Sequence, residues 1–161
     1  LKGGKYSLFE AGTRVPFIVN WQGKIKPAVS DALVCQIDLL ESLASLVGSN
    51  VTTNDSQNLI KTFTGKNNKG RKDLVIEASS KTAFRQGDWA MIPPYRGSAV
   101  NKEVNIAVGN HKDYQLYNLK EDIGQEHNLA QSNPKKLKEM VSSFEKIRGK
   151  VNNNVTDLKL E

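Results

Sequence analysis

Apolar positions fall into distinct patterns along the chain, and each pattern predicts a different element. Between residues 15 and 21 they run together as Val-Pro-Phe-Ile-Val-Asn-Trp and stop at Gln22-Gly23, the mark of a buried strand entering a turn. From Ser30 or Asp31, either of which would cap a helix, Leu33, Val34, Ile37, Leu40, Leu43, Ala44 and Val47 recur at helical spacing and end at Gly48. The pattern then lapses over residues 49–72, rich in Asn, Thr, Gly and Lys, which read as a surface crossover with one short helix near 56–63. β-prone runs follow at 73–79, 81–85, 89–93, 104–108 and 115–119, with Gln86-Gly87-Asp88 as a hairpin turn flanked by Arg85 and Trp89. These predict an antiparallel meander with one apolar face. Asn133-Pro134, followed by Leu137, Met140, Val141, Phe144, Ile147 and Val151, supplies an amphipathic helix to cover that face, and the tail after Asn152 is expected to fray.

The order strand, helix, meander, helix predicts an α/β plus α+β chain. Residues 1–50 read as the closing strand and helix of an α/β domain, residues 51–72 as a crossover loop, and residues 73–161 as a small antiparallel sheet with a C-terminal helix. One strand and one helix do not make a doubly wound sheet, so the remaining strands are expected upstream, in a larger protein of which this is part.

Composition narrows the classes. At 161 residues, 38% apolar and 25% charged, the chain suits a single-core globular unit. Its longest apolar-leaning stretch, 32–47, is broken by Gln36, Asp38 and Glu41 and predicts no membrane span. Cys35, the single cysteine, has no partner for an internal disulfide and reads as a buried, inert thiol within the helical pattern. Asp38, on or beside the same stripe, reads as a cap or surface residue rather than a metal ligand. The net charge of +6 favours polyanionic partners without choosing among them. Aromatics are few and do not alternate with Arg and Lys, which argues against nucleic acid as the partner. A non-catalytic polyanion-binding module, using Lys61, Lys66, Lys69, Lys72, Lys135, Lys136 and Lys138, is the alternative class.

Candidate chemistry gathers at the start. Gly3, Gly4 and Gly12 permit positive φ or close approach to an anion, and Lys5 among them would present one ammonium with its three donors to an oxyanion. Glu10 and Arg14 stand four apart and are expected to pair, organising the loop. A solvated loop with a surface ion pair is the competing reading of the same residues.

Taken together, several stretches carry a family resemblance. Leu1-Lys2-Gly3-Gly4-Lys5-Tyr6-Ser7-Leu8-Phe9-Glu10-Ala11-Gly12-Thr13-Arg14-Val15-Pro16-Phe17 resembles the glycine-lysine, glutamate-glycine-glycine, arginine-valine-proline stretch of the type I sulfatases, or arylsulfatases, of the alkaline phosphatase superfamily. Trp21-Gln22-Gly23-Lys24-Ile25 is similar to that family's Trp-Pro-Gly-x-Ile, and Ile37-Asp38-Leu39-Leu40 to its Ile-Asp-Leu helix. Arg85-Gln86-Gly87-Asp88-Trp89, Leu116-Tyr117-Asn118-Leu119 and Glu126-His127-Asn128-Leu129-Ala130 resemble its C-terminal hairpin and close. Gln22, Ala11, Ile123 and Asn118 depart from the family pattern and leave the substrate subfamily open.

The resemblance implies a C-terminal portion of a sulfuric ester hydrolase. By position Lys5 matches the family's sulfate-binding lysine. The resemblance further implies a formylglycine nucleophile and a calcium ion, both expected from a missing N-terminal catalytic portion, so that this segment alone would be inactive. Cys35, in Val34-Cys35-Gln36-Ile37-Asp38, lacks the maturation motif and is not the formylglycine precursor. Because C-terminal loops line the pocket mouth in this family, Arg96 and His111 are candidate contacts to the substrate beyond its sulfate, with solvated hairpin residues as the competing reading. The substrate is expected to be a sulfate ester, such as a sulfated glycan, and the location periplasmic or secreted. A phosphatase or phosphonate hydrolase of the same superfamily is a further alternative that the nucleophile would decide.

Overall fold

The computed structural model describes residues 1–149. The predicted end of the last helix at Val151 and the tail from Asn152 lie outside the described residues. The elements are α1 (Glu10–Thr13), a 3-10 turn (Gln36–Asp38) leading into α2 (Leu39–Leu46), α3 (Ile60–Phe63), β1 (Asp73–Ala78), β2 (Lys81–Gln86), β3 (Trp89–Ile92), β4 (Val100–Asn101), β5 (Ile106–Ala107), β6 (Gln115–Asn118) and α4 (Pro134–Arg148).

The predicted meander forms, with one strand exchanged. β1, β2, β3 and β6 make an antiparallel sheet in that order, while β4 and β5 pair only with each other as a separate hairpin. The run at 104–108 therefore does not join the main sheet. It turns back on Val100 and Asn101, and the segment between β3 and β6 leaves the sheet as an excursion.

The sheet is buried on both faces, where one apolar face is expected from the sequence. Phe84 faces Met91 and Met91 faces Leu116 across the strands, forming a row packed under Met140 and Phe144 of α4. The Phe84 and Phe144 rings are 5.7 Å apart. Ala83, Ala90, Ile92 and Tyr117 project to the opposite face, which Leu8 and Phe9 cover. Phe9 meets Tyr117 edge to face, at 6.0 Å between centroids. The β1–β2 hairpin closes through Ser79 and Ser80, both at positive φ, as its two-residue turn requires. α4 begins on Pro134, where the missing N–H costs nothing, and is followed by Gly149 at φ 77°.

The first half of the chain departs further from expectation. No strand forms over residues 15–21, which belong to no helix or strand and lie exposed, with Ile18 88% and Val15 74% accessible. A buried strand needs hydrogen-bonding neighbours, and the four strands of the sheet pair among themselves. The helix begins at Gln36 instead of near Asp31. Leu33 lies outside the helix, its carbonyl accepting the Arg71 N–H at 2.7 Å in place of a helical donor. Asp38 is fully buried, and its carboxylate accepts the Cys35 N–H and the Gln57 N–H, each at 2.9 Å. Asp38 and Ser42 face inward, while Ile37, Leu40, Leu43, Leu46 and Val47 face out. Cys35 sits half-buried at the cap instead of buried on a helical stripe.

Candidate functional site

The loop before α1 is built by close packing of backbone. Ser7 N–H bonds the Gly4 carbonyl at 3.0 Å, closing a turn with Lys5 and Tyr6 at its corners. Tyr6 takes φ 74°, a left-handed conformation that glycine usually fills. Gly12 is required because a Cβ there would collide with the carbonyl oxygens of Ser7 and Gly4. The turn thus points Lys5 and Tyr6 outward, with the Lys5 Nζ 5.1 Å from the Tyr6 ring centroid. Neither the Lys5 nor the Lys81 ammonium has a carboxylate partner among the described residues.

Behind the turn the loop is bolted to the sheet. Glu10 is buried, and its Oε2 lies 3.3 Å from Arg14 Nη1 and 3.2 Å from Arg85 Nη1. The expected Glu10 and Arg14 pair forms, with Arg85 of β2 as a third member. Gln125, also buried, accepts the Glu10 N–H at 2.7 Å through Oε1, and its carbonyl accepts the Lys2 ammonium at 3.1 Å. Leu8 N–H bonds the Val108 carbonyl at 3.2 Å, so β5 and the loop are also tied. Arg85 and Gln125 were not among the residues expected at the site. Arg85 carries a usable signal, since strand alternation puts it on the same face as Ala83, the face that Phe9 covers. Gln125 has none, lying in an irregular turn far along the chain.

Arg96 and His111 come together, with Tyr95 and Lys112, around a cavity of about 480 Å³. Tyr95 N–H donates to the His111 carbonyl at 2.8 Å, which brings the two stretches side by side. His111 is exposed, and its Nδ1 accepts the Asp113 N–H at 3.1 Å. A second cavity, of about 470 Å³, adjoins the Lys5 turn through Tyr6 and takes in Lys81, Asn101 and Asn110.

The described residues do not fit a calcium ion. Among the described residues no three His, Cys, Asp or Glu side chains converge. The two buried carboxylates are engaged, Asp38 by Arg71 at 2.6 Å and Glu10 by two arginines. Two further ionisable groups are perturbed for structural reasons. Burial pushes the Tyr117 hydroxyl up to about 12, and it donates to Gln115 Oε1 at 2.9 Å. Backbone donors, His127 N–H first among them, hold Asp122 below the usual carboxylate value.

The chain as a whole has relatives of known kind. The chain is 36% identical over 151 residues to the N-acetylgalactosamine-6-O-sulfatase of Bacteroides thetaiotaomicron, covering 91% of this chain and 30% of that protein. Human arylsulfatase A is 30% identical over 145 residues, covering 80% of this chain and 28% of that enzyme. A solved structure concerned with the metabolism of multiple glycosaminoglycans by Bacteroides thetaiotaomicron matches with a TM-score of 0.87 at 35% identity, over 92% of this chain and 32% of that one. The PsFucS1 sulfatase of Pseudoalteromonas sp. shares the fold, with a TM-score of 0.67 at 19% identity over 94% of this chain and 34% of that one. No family model matches. Sequence and fold together make this a chain of the sulfatase family. It spans about 30% of the length of the curated relatives it matches, a share that fits their C-terminal portion.

Proposed function

We propose that this chain is the C-terminal part of an enzyme that hydrolyses sulfate esters, and that Lys5 binds the sulfate. The observation that carries the reading is the Lys5 turn itself: an ammonium without a carboxylate partner among the described residues, held on a constrained turn whose base is locked to the sheet through Glu10, Arg85 and Gln125. A cation fixed in this way stabilises charge developing on sulfuryl oxygens without reorganising during the reaction. Family resemblance assigns the nucleophile, a formylglycine, and a calcium ion to residues outside this chain. The segment alone is therefore expected to be inactive.

The substrate is proposed to be a sulfated sugar, on the strength of the identity to an N-acetylgalactosamine-6-O-sulfatase. Arg96 and His111 are proposed to contact the sugar beyond its sulfate, since the structure sets them around one cavity with no carboxylate in its lining. No helix among the described residues is long and apolar enough to cross a membrane. A periplasmic or secreted location is proposed from the family.

Replacing Lys5 with Ala in the full-length enzyme is expected to lower kcat on a sulfated sugar by about 10²–10³-fold, the scale of a lost oxyanion partner. Unchanged kinetics in that variant would remove Lys5 from the site.

A further inference from the structure

The cavity beside the Lys5 turn has the chemistry of a second binding position. Its lining includes Tyr6, Lys81, Ser98, Asn101, Glu103 and Asn110, and its volume is about 470 Å³, within the range of small-molecule sites. Tyr6 is the link to the sulfate site, being next to Lys5 in sequence and lining this cavity with a half-exposed ring. It holds φ 74°, a left-handed conformation that is unfavourable for a bulky residue. Strain of that kind persists where surrounding contacts enforce it, and here the Ser79 hydroxyl reaches the Tyr6 carbonyl at 3.4 Å.

The polar groups are specific in kind. Asn110 is nine-tenths buried. Its Nδ2 donates to the Ser98 carbonyl at 2.9 Å, while its Oδ1 has no hydrogen-bond partner. A buried amide oxygen without a donor is destabilising, and a ligand hydroxyl or a water would relieve it. Lys81 is half-buried and takes no part in the ion pairs among the described residues, which join Glu10 to Arg14 and Arg85, Asp38 to Arg71, and Lys136 to Glu139. A Cβ at Gly97 would come within 3.0 Å of the Asn110 Nδ2 and 3.9 Å of the Lys81 Nζ, so both groups border the position that this glycine leaves open. Glu103 stands exposed at the rim, where it can accept hydroxyls and repels a second anion.

An aromatic face, neutral amides and hydroxyls, one carboxylate at Glu103 and one ammonium with no ion-pair partner among the described residues suit a sugar ring bearing one acidic group. A small aryl sulfate, its one anionic group committed to Lys5, has neither hydroxyls for the amides nor a second acidic group for Lys81. We infer that this cavity binds the saccharide adjoining the sulfated one in a glycan chain, with Lys81 pairing its carboxylate or sulfate, so that Lys81 selects a polymeric, acidic substrate. The inference rests on the sulfate-ester reading above.

The test uses the full-length enzyme and two probes, N-acetylgalactosamine 6-sulfate alone and the same sugar linked to glucuronic acid. The wild-type enzyme is expected to favour the disaccharide. Lys81→Met, which keeps the apolar stem, should lower the ratio of disaccharide to monosaccharide kcat/KM by about tenfold or more, chiefly through KM, and Lys81→Arg should restore most of it. Calorimetric binding of the desulfated disaccharide, weakened in Lys81→Met, reports the subsite apart from turnover. An unchanged ratio and unchanged binding in Lys81→Met, with sulfate still released, overturn the subsite and leave the sulfatase reading standing. No sulfate release by the wild type, with binding still dependent on Lys81, overturns the sulfatase reading and supports a sugar site.

Discussion

Arg71→Met tests whether the first half of the chain is held by one buried ion pair. Asp38 is completely inaccessible and the Arg71 side chain is 9% exposed, so their attraction is little screened by water. Arg71 Nε lies 3.0 and 2.8 Å from the two carboxylate oxygens, and Nη2 lies 2.6 Å from Oδ1 while also reaching the Asp55 carbonyl. Hydrogen bonding to Asp38 raises the guanidinium further above its already high ordinary value, so the cation persists at any working pH. Removing Arg71 leaves a buried carboxylate with only the Cys35 and Gln57 N–H donors, and strips the Asp55 carbonyl of a partner. Breaking one side of such a pair costs about 3–5 kcal/mol, a large share of the roughly 5–15 kcal/mol that holds a domain together. Urea unfolding followed by circular dichroism should show that loss as a lowered midpoint. The double variant Arg71→Met, Asp38→Leu should lose less than the two single losses added together, because no charge is then stranded. A shift of less than about 0.5 kcal/mol in Arg71→Met would mean that solvent reaches Asp38, and the anchoring role would be refuted.

Glu10→Gln removes the charge shared by Arg14 and Arg85, and in the full-length enzyme it should lower kcat by loosening the Lys5 turn while leaving a folded protein by circular dichroism; unaltered kcat would show the turn to be self-supporting. Gly12→Ala should destabilise by more than the gain of about 0.4–1 kcal/mol that glycine replacement brings at permissive sites, since its Cβ meets two carbonyl oxygens, and thermal unfolding measures this. Tyr117 is protonated more tightly in the folded state, with its hydroxyl pushed up to about 12 from an ordinary value of 10.0, so stability should fall as pH rises between those values. Tyr117→Phe should flatten that part of the curve in alkaline unfolding experiments.

What could be read from the residue order was local. The 81–86 and 89–92 strands, the turn between them and α4 announce themselves through alternation, Gly87 and the Asn133-Pro134 start, each a signal within a few residues. The Glu10 and Arg14 pair is equally local. Arg85 reaching Glu10 and Arg71 reaching Asp38 are contacts across 75 and 33 residues, for which the pattern of neighbours holds no trace. The apolar run at 15–21 has a strand's composition, yet composition specifies only a tendency. A strand exists when another strand offers its N–H and carbonyl groups, and none among the described residues does. The second buried face of the sheet was hidden for the same reason, because its cover, Leu8 and Phe9, comes from the other end of the chain.

The packing of Phe9 against Tyr117 also sets an order of events. Its partners are separated by most of the chain, and closing so long a loop is slow compared with forming hairpins or helices. The β1–β2 and β2–β3 hairpins can form early from neighbouring residues, but the Lys5 turn has no surface to rest on until β6 completes the sheet. Gln125, which clamps Glu10, lies later still in the chain. On the ribosome, therefore, the lysine is placed only after residue 125 has emerged and folded back. A polypeptide cut short before that point would carry Lys5 without the turn geometry that presents it.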